Sequence, residues 1–331
     1  MTTRFDVLAI GNAIVDVIAP ADDAFLSGEK LDKGSMMLID ADRATSLYGA
    51  MGAGQESSGG SAANTLAGIT AFGQNCAFVG QVADDQLGEV FSHDIRALGV
   101  DFQTPARSAD DVPTARCLIN VTPDAQRTMC TFLGASQFLP ESALDKQLIA
   151  DSSILYLEGY LWDPEEPRAA MRAAIDHARA AGRKVAFTLS DAFCIDRHRD
   201  DFRALIDGGM IDILFANEVE IQSLNESDDF DASVAATAAK VPLLVVTRGE
   251  DGAIAVQNGE RTSIAAEPVD KIIDTTGAGD LFAAGFLAGH IQGRSISDSL
   301  AMGAVAAAEV ISHYGARPEA DLKALAEARL S

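Results

Sequence analysis

The sequence has few cysteines and no long apolar run. Its cysteines, Cys76, Cys117, Cys130 and Cys194, form no Cys-x-x-Cys pair and no spacing typical of a metal site. We therefore expect reduced and mostly buried thiols. No apolar stretch approaches the length that a transmembrane helix needs. These absences argue against a redox motif, a cysteine-based metal site and a membrane-spanning protein.

Basic residues are also scarce, because 25 Lys and Arg stand against 49 Asp and Glu and give a formal charge of −24. Nucleic acids and anionic membranes bind basic surfaces, so neither is an expected partner. A small anionic ligand needs only a local positive site and is not excluded. The apolar start at residues 7–10 is flanked by Asp6 and Asp16, which fits a buried strand better than a signal peptide. We expect a cytoplasmic protein.

The chain of 331 residues suits one large α/β domain, and no repeat, linker or low-complexity tract divides it. Short apolar runs alternate with Ala-rich helical stretches. The patterns predict strands at 5–10, 76–80, 154–158, 184–189, 211–216, 243–247, 253–257 and 270–273, and helices at 61–72, 84–98, 165–181, 198–207, 218–225, 232–239, 280–291, 297–313 and 319–329. This alternation predicts a mostly parallel sheet covered by helices on both faces.

Two segments, about 13–48 and 103–135, depart from this alternation. Residues 114–121 and 127–132 alternate in polarity, and Pro123-Asp124 between them is typical of a turn. We expect strands outside the main sheet that pair with each other as a small flap.

The most informative motif is the heptad 274–280, Asp-Thr-Thr-Gly-Ala-Gly-Asp, which precedes an apolar run. It predicts a tight turn that opens a helix, whose first N–H groups lack intrahelical partners. Gly277 and Gly279, on either side of Ala278, would let a phosphate reach those N–H groups. Asp280 would then lie ionised beside the phosphate and take a proton from an attacking hydroxyl. A C-cap turn before an acidic helix start is the alternative.

A second constellation lies near the N-terminus. Gly59 and Gly60 precede a predicted helix that carries Asn64, which can bond a substrate hydroxyl. Asn12 and Asp16 follow the first strand at the sheet edge where ligands bind in open parallel sheets. Asp16 can accept hydrogen bonds from two adjacent hydroxyls, as a ribose diol offers. Each residue alone also fits a structural role as a turn, a cap or a solvated loop residue.

Two further motifs follow later strands. Asn217 and Glu220 match a capping box, but at a strand's end they can also hold Mg²⁺ through its waters. Thr247, Gly249 and Gly252 lie in a glycine turn, which either contacts nucleotide phosphates or only joins two strands as a hairpin.

In this order and spacing, the four motifs resemble the PfkB family of ribokinase-like carbohydrate and nucleoside kinases. The resemblance covers nearly the whole chain and includes two signatures, at 59–73 and 274–280. It implies a single kinase domain over 1–331, built as a large three-layer α/β/α body with a small β-sheet lid formed by about 13–48 and 103–135. The lid would close over the phosphoryl acceptor.

The resemblance also implies roles for the motifs. Asp280 would be the catalytic base, and the backbone of Gly277, Ala278 and Gly279 would be an anion hole for the transferred phosphoryl group. Asn217 with Glu220 matches a magnesium motif, and 247–252 matches a nucleotide-binding motif. ATP and Mg²⁺ are therefore expected, with a K⁺ site near Asp274 and Thr276 as a further possibility.

Within the family, the closest resemblance is to bacterial adenosine kinases. The residues that carry it are Gly11-Asn12 with Asp16, the run 59–64 and Glu158-Gly159-Tyr160-Leu161-Trp162. Ribokinases typically have a lysine where this chain has Ser61. Apolar flap residues, among them Met37 and Phe132, can sandwich a purine. The expected reaction moves the γ-phosphoryl of ATP to the 5′-hydroxyl of adenosine and gives AMP.

Two other functions remain open at this point. The same machinery can phosphorylate a sugar such as ribose or fructose, or the chain can be a non-catalytic nucleoside or sugar sensor on this fold. No Walker A lysine motif is present, so Arg116 and Arg248 are the candidates for phosphate contacts. A lid sheet that pairs with a second lid would give a homodimer, and a capped one a monomer.

Overall fold

The computed structural model describes residues 3–124 and 126–331. The strands are β1 Phe5–Ile10, β2 Ile14–Pro20, β3 Met36–Leu38, β4 Gln55–Gly59, β5 Cys76–Val79, β6 Asp101–Phe102, β7 Ala115–Val121, β8 Arg127–Phe132, β9 Ser152–Glu158, β10 Lys184–Thr188, β11 Ile213–Asn217, β12 Leu243–Thr247, β13 Ala253–Gln257 and β14 Glu260–Ile264. The α-helices are α1 Asp23–Gly28, α2 Ala41–Ala50, α3 Ser61–Ala71, α4 Gln86–Ala97, α5 Lys146–Ala150, α6 Glu165–Ala180, α7 Ala192–Asp207, α8 Glu218–Asn225, α9 Phe230–Ala238, α10 Ala278–Ile291, α11 Ile296–Val310 and α12 Leu322–Leu330.

Nine strands form the main sheet in the order β14-β13-β12-β11-β10-β9-β1-β5-β6. Neighbours from β12 to β6 pair in parallel, whereas β12–β13 and β13–β14 pair antiparallel. The β12 sequence, Leu-Leu-Val-Val-Thr, is continuously apolar because a parallel strand is buried on both faces. The predicted α/β architecture with a mostly parallel sheet is confirmed.

Alternate residues of the central strands fill two separate cores. Val7 and Tyr156 pack into the core that α3, α4, α10 and α11 cover, whereas Leu8 and Leu155 pack into the core that α6 to α9 cover. Successive side chains of a strand point to opposite faces, so each strand contributes to both cores. The result is a three-layer body in which the ends of the parallel strands meet at one edge.

A second, smaller sheet has the order β3-β8-β7-β2-β4. One of its faces shares an apolar cluster with the chain's own helices, because Leu26 of α1 and Leu47 of α2 join Val17 and Leu118 there. The other face carries a separate group around Ile119. Helices α1 and α2 therefore cover one face of the small sheet, and the other face is left uncovered by them.

The predicted flap segments were incomplete. Within 13–48, the structure has helices α1 and α2 as well as strands, and β4 lies outside both predicted segments. Asp22 and Asp40 are the N-caps of the two helices, each accepting a hydrogen bond from a backbone N–H in the first turn. Such acidic caps before short helical stretches were the sequence signal that could have located them. The strands predicted from 114–121 and 127–132 are present as β7 and β8.

The end of the main sheet also differs from prediction. Residues 270–273 form no strand, because this segment lies past the edge strand and instead donates from Ile273 N–H to the carbonyl of Ile311. The edge strand itself, β14, was not predicted, since its sequence is mostly polar. Asn258 and Gly259, both with positive φ, form the tight turn into it, and an Asn-Gly pair is a hairpin signal.

The thiols agree with the expectation from the sequence. All four cysteines are free and buried. Over residues 3–124 and 126–331, every helix is too short or too polar to cross a membrane.

Candidate active site

A cavity of about 710 Å³ lies between the small sheet and the carboxyl ends of the main-sheet strands. Residues from all four predicted motifs line it. They are Asn12, Asp16, Gly60, Asn64, Asn217, Glu220, Thr247, Thr276, Gly277, Ala278, Gly279 and Asp280. Parallel strands place their carboxyl ends together, and this is why motifs that are distant in sequence converge here.

The turn before α10 forms one wall of the cavity. Gly277 is the N-cap of α10 in the left-handed region, at φ +74°, and an added Cβ would lie 2.6 Å from the Cβ of Ala316. An added Cβ at Gly279 would instead meet open space. Within the described residues, the N–H groups of Gly279 and Asp280 have no hydrogen-bond partner. This helix start therefore presents free donors to the cavity, where an anion can bind.

Asp280 lies at this helix start and joins the two signature motifs. Its carboxylate accepts hydrogen bonds from Ser61 Oγ at 2.6 Å and from Asn64 Nδ2 at 3.0 Å, both on α3. Burial raises the pKa of Asp280, and these two hydrogen bonds oppose that rise. The carboxylate is oriented by neutral donors and no cation bonds it directly, so it is free to accept a proton.

The glycine pair before α3 serves close packing. An added Cβ at Gly59 would lie 2.6 Å from Oδ1 of Asp16, and one at Gly60, which has φ +93°, would collide with the backbone oxygen of Asn12. Gly59 does not line the cavity, whereas Gly60 does. Both glycines therefore let β2, with Asp16, approach the start of α3.

Asp16 has no hydrogen-bond partner for its carboxylate among the described residues, although it lines the cavity. Burial raises its pKa to about 7, and the nearby guanidinium of Arg317 opposes the rise. Arg317 itself donates to the backbone oxygen of Ala63 at 2.8 Å and to Ser58. An unpartnered carboxylate in a cavity is available to accept hydrogen bonds from a ligand.

Sequence reasoning gave no role to Glu158, which was quoted only as part of a resemblance. Its carboxylate, at the end of β9, is fully buried and accepts from Asn12 N, Asn12 Nδ2 and Ala62 N. Burial raises its pKa to about 7, and the bonds from Asn12 and Ala62 oppose the rise. The feature of the sequence that could have identified Glu158 was a glutamate at the end of an apolar predicted strand.

Asn217 and Glu220 form a capping box at the start of α8. Glu220 N–H donates to Asn217 Oδ1 at 2.8 Å, while Glu220 Oε2 accepts from Asn217 N and Oε1 from its Nδ2. The structural interpretation of this motif is therefore present, and both residues also line the cavity. Burial raises the pKa of Glu220 to about 7. The magnesium role stays a prediction.

The glycine turn after β12 is the hairpin to β13. Thr247 lines the cavity, but Gly249 and Gly252 do not. Gly252 has φ +85°, and an added Cβ would lie 2.7 Å from the carbonyl carbon of Ala265. Close packing and the positive φ therefore explain the glycine at position 252. The nucleotide-binding role of this turn stays a prediction.

The basic residues at the cavity are not the two that the sequence suggested. Arg116 donates to Thr45, and Arg248 pairs with Glu218 at 3.3 Å. The arginines that line the cavity are Arg127 and Arg197. Arg127 begins β8 of the small sheet. The only feature of the sequence that could have identified it was a lone arginine at the start of a strand of alternating polarity.

Arg127 joins the small sheet to the turn before α10. Its guanidinium pairs with the buried carboxylate of Asp274 at 2.8 Å and donates to Thr275 Oγ1 at 2.8 Å. Asp274 also accepts from Thr276 N and Gly315 N. A guanidinium therefore already neutralises the Asp274 carboxylate, whereas the buried Oγ1 of Thr276 has no hydrogen-bond partner within the described residues. K⁺ binding stays a prediction.

The small sheet forms an apolar wall opposite the strand ends. Its apolar cavity-facing side chains are Ile14, Met36, Leu38, Cys117, Ile119 and Met129, and Leu133 follows directly after β8; the polar Asp16, Arg127 and Thr131 line the cavity from the same sheet. Met37 and Phe132, which the sequence analysis singled out, do not line the cavity, because strand alternation turns both side chains to the opposite face. The predicted apolar wall is present, but it is made by their neighbours.

Over residues 3–124 and 126–331, the structure has no preformed cluster for direct metal coordination. The described residues hold no group of three or more His, Cys, Asp or Glu placed to bind a metal ion. A single carboxylate such as Glu220 would therefore need water or substrate phosphate to complete the coordination of a metal, which suits Mg²⁺ because Mg²⁺ dehydrates reluctantly.

The fold and these motifs define a kinase class. The chain matches the model of the pfkB family carbohydrate kinases over residues 6–322, so it belongs to this family. The predicted membership is confirmed, and with it the class of ATP-dependent kinases.

Particular relatives are nucleoside and sugar kinases. The structure of adenosine kinase from Sinorhizobium meliloti is 47% identical, with a TM-score of 0.91 over 98% of this chain and 99% of that one. The structure of a probable sugar kinase protein from Rhizobium etli CFN 42 is 45% identical, with a TM-score of 0.92 over 99% of both chains. The fructokinase of Klebsiella pneumoniae is 29% identical over 247 residues, which are 73% of this chain and 80% of that protein.

Proposed function

We propose that this PfkB kinase transfers the γ-phosphoryl group of ATP to the 5′-hydroxyl of adenosine. The observation that carries the proposal is the acceptor end of the cavity, where the unpartnered carboxylate of Asp16, on β2, lies beside the apolar side chains of the same small sheet. Asp16 accepts the ribose diol, and the wall receives the purine. The similarity to the Sinorhizobium meliloti adenosine kinase supports the same acceptor.

The size and lining of the wall favour a nucleoside over a free sugar. Met36 and Leu38 are exposed by 48% and 60%, so a bound ring would bury apolar surface that now faces the cavity. A free sugar has hydroxyls on every side, and the wall offers them few partners. A planar purine gains from the same surface without unpaired polar groups.

Asp280 removes the proton from the attacking hydroxyl. Ser61 Oγ and Asn64 Nδ2 orient its carboxylate toward the space before α10. An alcohol is too weak an acid to lose its proton before it attacks. Proton transfer to Asp280 therefore accompanies formation of the O–P bond in a loose transition state. The free N–H groups at the start of α10 stabilise the charge on the transferred phosphoryl oxygens.

The donor end holds the nucleotide between α8, β12 and α10. Asn217 and Thr247 would contact the phosphates, and Glu220 would hold a magnesium ion through its water shell. When bound, Mg²⁺ would supply positive charge that offsets the negative charge of the phosphates. Glu220 is ionised above its pKa of about 7, as this role requires.

The small sheet acts as a lid over the acceptor. The ion pair between Arg127 and Asp274 is one point at which it contacts the phosphate-binding turn. A closed lid excludes water, and this matters because a kinase with an open site hydrolyses ATP.

The test measures ADP release from ATP and Mg²⁺ with adenosine, ribose or fructose as acceptor. We expect turnover with adenosine at micromolar concentrations and little with either sugar. Turnover only with a sugar would keep the reaction and contradict the acceptor, whereas silence with all three, at matched ATP binding, would favour a sensor. Heat-inactivated enzyme and a reaction without acceptor are the controls.

A further inference from the structure

Glu158 occupies an unusual position, because a carboxylate with no exposed surface lies at the centre of the acceptor site. Its Oε1 accepts from both the backbone N and the side-chain Nδ2 of Asn12, and its Oε2 accepts from the backbone N of Ala62. All three distances are 2.7 Å. Gly11 makes the room, since an added Cβ there would lie 2.7 Å from Oε2.

These bonds leave Glu158 no role as a substrate ligand. Both oxygens already accept short bonds from the protein, and the side chain is 0% exposed. Although Glu158 borders the cavity, a hydroxyl of the acceptor would have to compete with these bonds to reach it. Whatever Glu158 contributes to the reaction must act through the groups that it holds.

Those groups belong to two different parts of the site. Asn12 lies between β1 and β2, where the chain leaves the main sheet for the small one. Ala62 lies in the first turn of α3, next to Ser61, and α3 supplies both donors to Asp280. One carboxylate thus fastens the acceptor loop to the helix that orients the predicted base.

The bond to Nδ2 also fixes which way the Asn12 amide points. With Nδ2 donating to Glu158, the amide oxygen is left without a protein partner in the described part of the chain and is the atom able to face a ligand. An amide carbonyl accepts from a hydroxyl, as an acceptor molecule would offer.

We propose that Glu158 is a positioning residue for phosphoryl transfer, which sets Asn12 for the acceptor and α3 for Asp280. This inference rests on the proposed function in that Asn12 contacts the acceptor and Asp280 is the base. The chemistry demands a carboxylate at 158, because both of its oxygens must accept. A glutamine at this position has one oxygen and one NH₂ group. In either orientation the NH₂ group would face an N–H donor, that of Ala62 or those of Asn12, and no hydrogen bond could form there.

The test is Glu158→Gln, with steady-state kinetics for each substrate. We expect kcat/KM for the acceptor to fall by roughly 10- to 100-fold, because small displacements of reacting groups cost rate on that scale. The KM for ATP should stay within about twofold, since the donor end lies on other strands. Glu158→Asp keeps two accepting oxygens on a shorter side chain and should recover part of the loss; it also carries the test if the glutamine variant does not fold.

Asp212→Asn is the matched control. Asp212 is likewise a buried carboxylate that accepts three N–H bonds, from Arg179, Lys184 and the backbone of Val185, but it lies at the opposite edge of the sheet. This variant should lower the melting temperature and leave kcat/KM unchanged. A Glu158→Gln enzyme that behaves like it, losing stability alone, would overturn the proposal.

Hydrogen exchange separates this inference from the choice of acceptor. In Glu158→Gln, the amides of Asn12 and Ala62 should exchange faster, with or without any substrate. If wild type uses a sugar, the proposed acceptor fails and the same kinetics are measured with that sugar. Unchanged exchange at both amides would overturn the positioning role whatever the acceptor is.

Discussion

The starts of α3 and α10 face the same cavity, and each follows a glycine with positive φ, yet they are built differently. At α3, an N–H of the first turn is occupied by the protein's own carboxylate, Glu158. At α10, two N–H groups have no partner within the described residues, and an added Cβ at Gly279 would meet open space. Two similar sequence patterns thus give one closed helix start, which shapes the site, and one open start, which is left for a ligand.

The base beside the open start gives the largest expected effect. We expect Asp280→Asn to lower kcat by about 10²- to 10⁴-fold, the range typical of a general base. Asparagine keeps the size of the side chain, so binding of the acceptor should survive when measured by calorimetry. Near-normal turnover in this variant would contradict the assignment of the base.

The glycines of the two starts should respond oppositely to alanine. Gly279→Ala should leave stability unchanged and lower kcat/KM for ATP by roughly tenfold or more, because the methyl fills the space where a phosphoryl oxygen would bind near N–H donors worth about 2.7–4 kcal/mol each. Gly60→Ala should cost roughly 1–3 kcal/mol of stability, because the backbone there has φ +93°. Thermal melts and ATP kinetics of both variants make the comparison. Equal behaviour of the two would remove the distinction between an open and a closed start.

The carboxyls near the closed start predict opposite pH effects on activity and stability. The pKa values of Asp16 and Glu158 are about 7, raised mainly by burial and also by the charge of Asp280. Activity with the acceptor should therefore fall as the pH drops below about 7. Because folding raises these pKa values above about 4, the native state binds more protons between pH 4 and 7, and the stability that these groups contribute declines as the pH rises through that window.

Asp16→Asn isolates one of these groups. The free energy of unfolding of wild type relative to this variant should decrease from pH 4 to pH 7, as measured by urea denaturation at each pH. A difference that increases over the same interval would contradict the sign.

The smallest expected effects come from alanine substitutions of two adjacent residues on β3, whose side chains lie on opposite faces of the strand. Leu38→Ala removes apolar surface that faces the cavity, so it should raise the KM for adenosine severalfold without lowering the melting temperature. Met37→Ala removes a side chain that packs into the core, so it should lower the free energy of unfolding by up to about 2–5 kcal/mol. Its effect on the KM for adenosine should be smaller than that of Leu38→Ala. The reverse pattern would show that the face assignment of β3 is wrong.

The sequence predicts much of the main sheet because its strands and helices have strong, local patterns. Continuous apolar strands such as β12 and the heptad before α10 need little tertiary information to locate. The four motifs also converge as expected, since parallel strands bring their carboxyl ends to one edge. The polar edge strand β14 and the short helices α1 and α2 lacked such patterns and were missed.

Within the site, prediction failed where the answer depends on which way a side chain points. Met37 and Met36 are adjacent, and only the register of β3 against β8 decides which of them faces the cavity. Arg127 and Glu158 have partners far away in sequence, at Asp274 and Asn12, so no local pattern could assign them. Arg116 and Arg248 were plausible by sequence, but their partners lie outside the cavity.

The separation in sequence of the bonded groups also bears on how the protein is made. Ser61 meets Asp280 across 219 positions, and Arg317 reaches back to Ser58 across 259. A ribosome that has released only the first two hundred residues has produced Asn12, Asp16 and Asn64 but neither Asp280 nor the turn before it. The contacts between α3 and α10 that complete the cavity therefore cannot form until residues 274–280 have been synthesised.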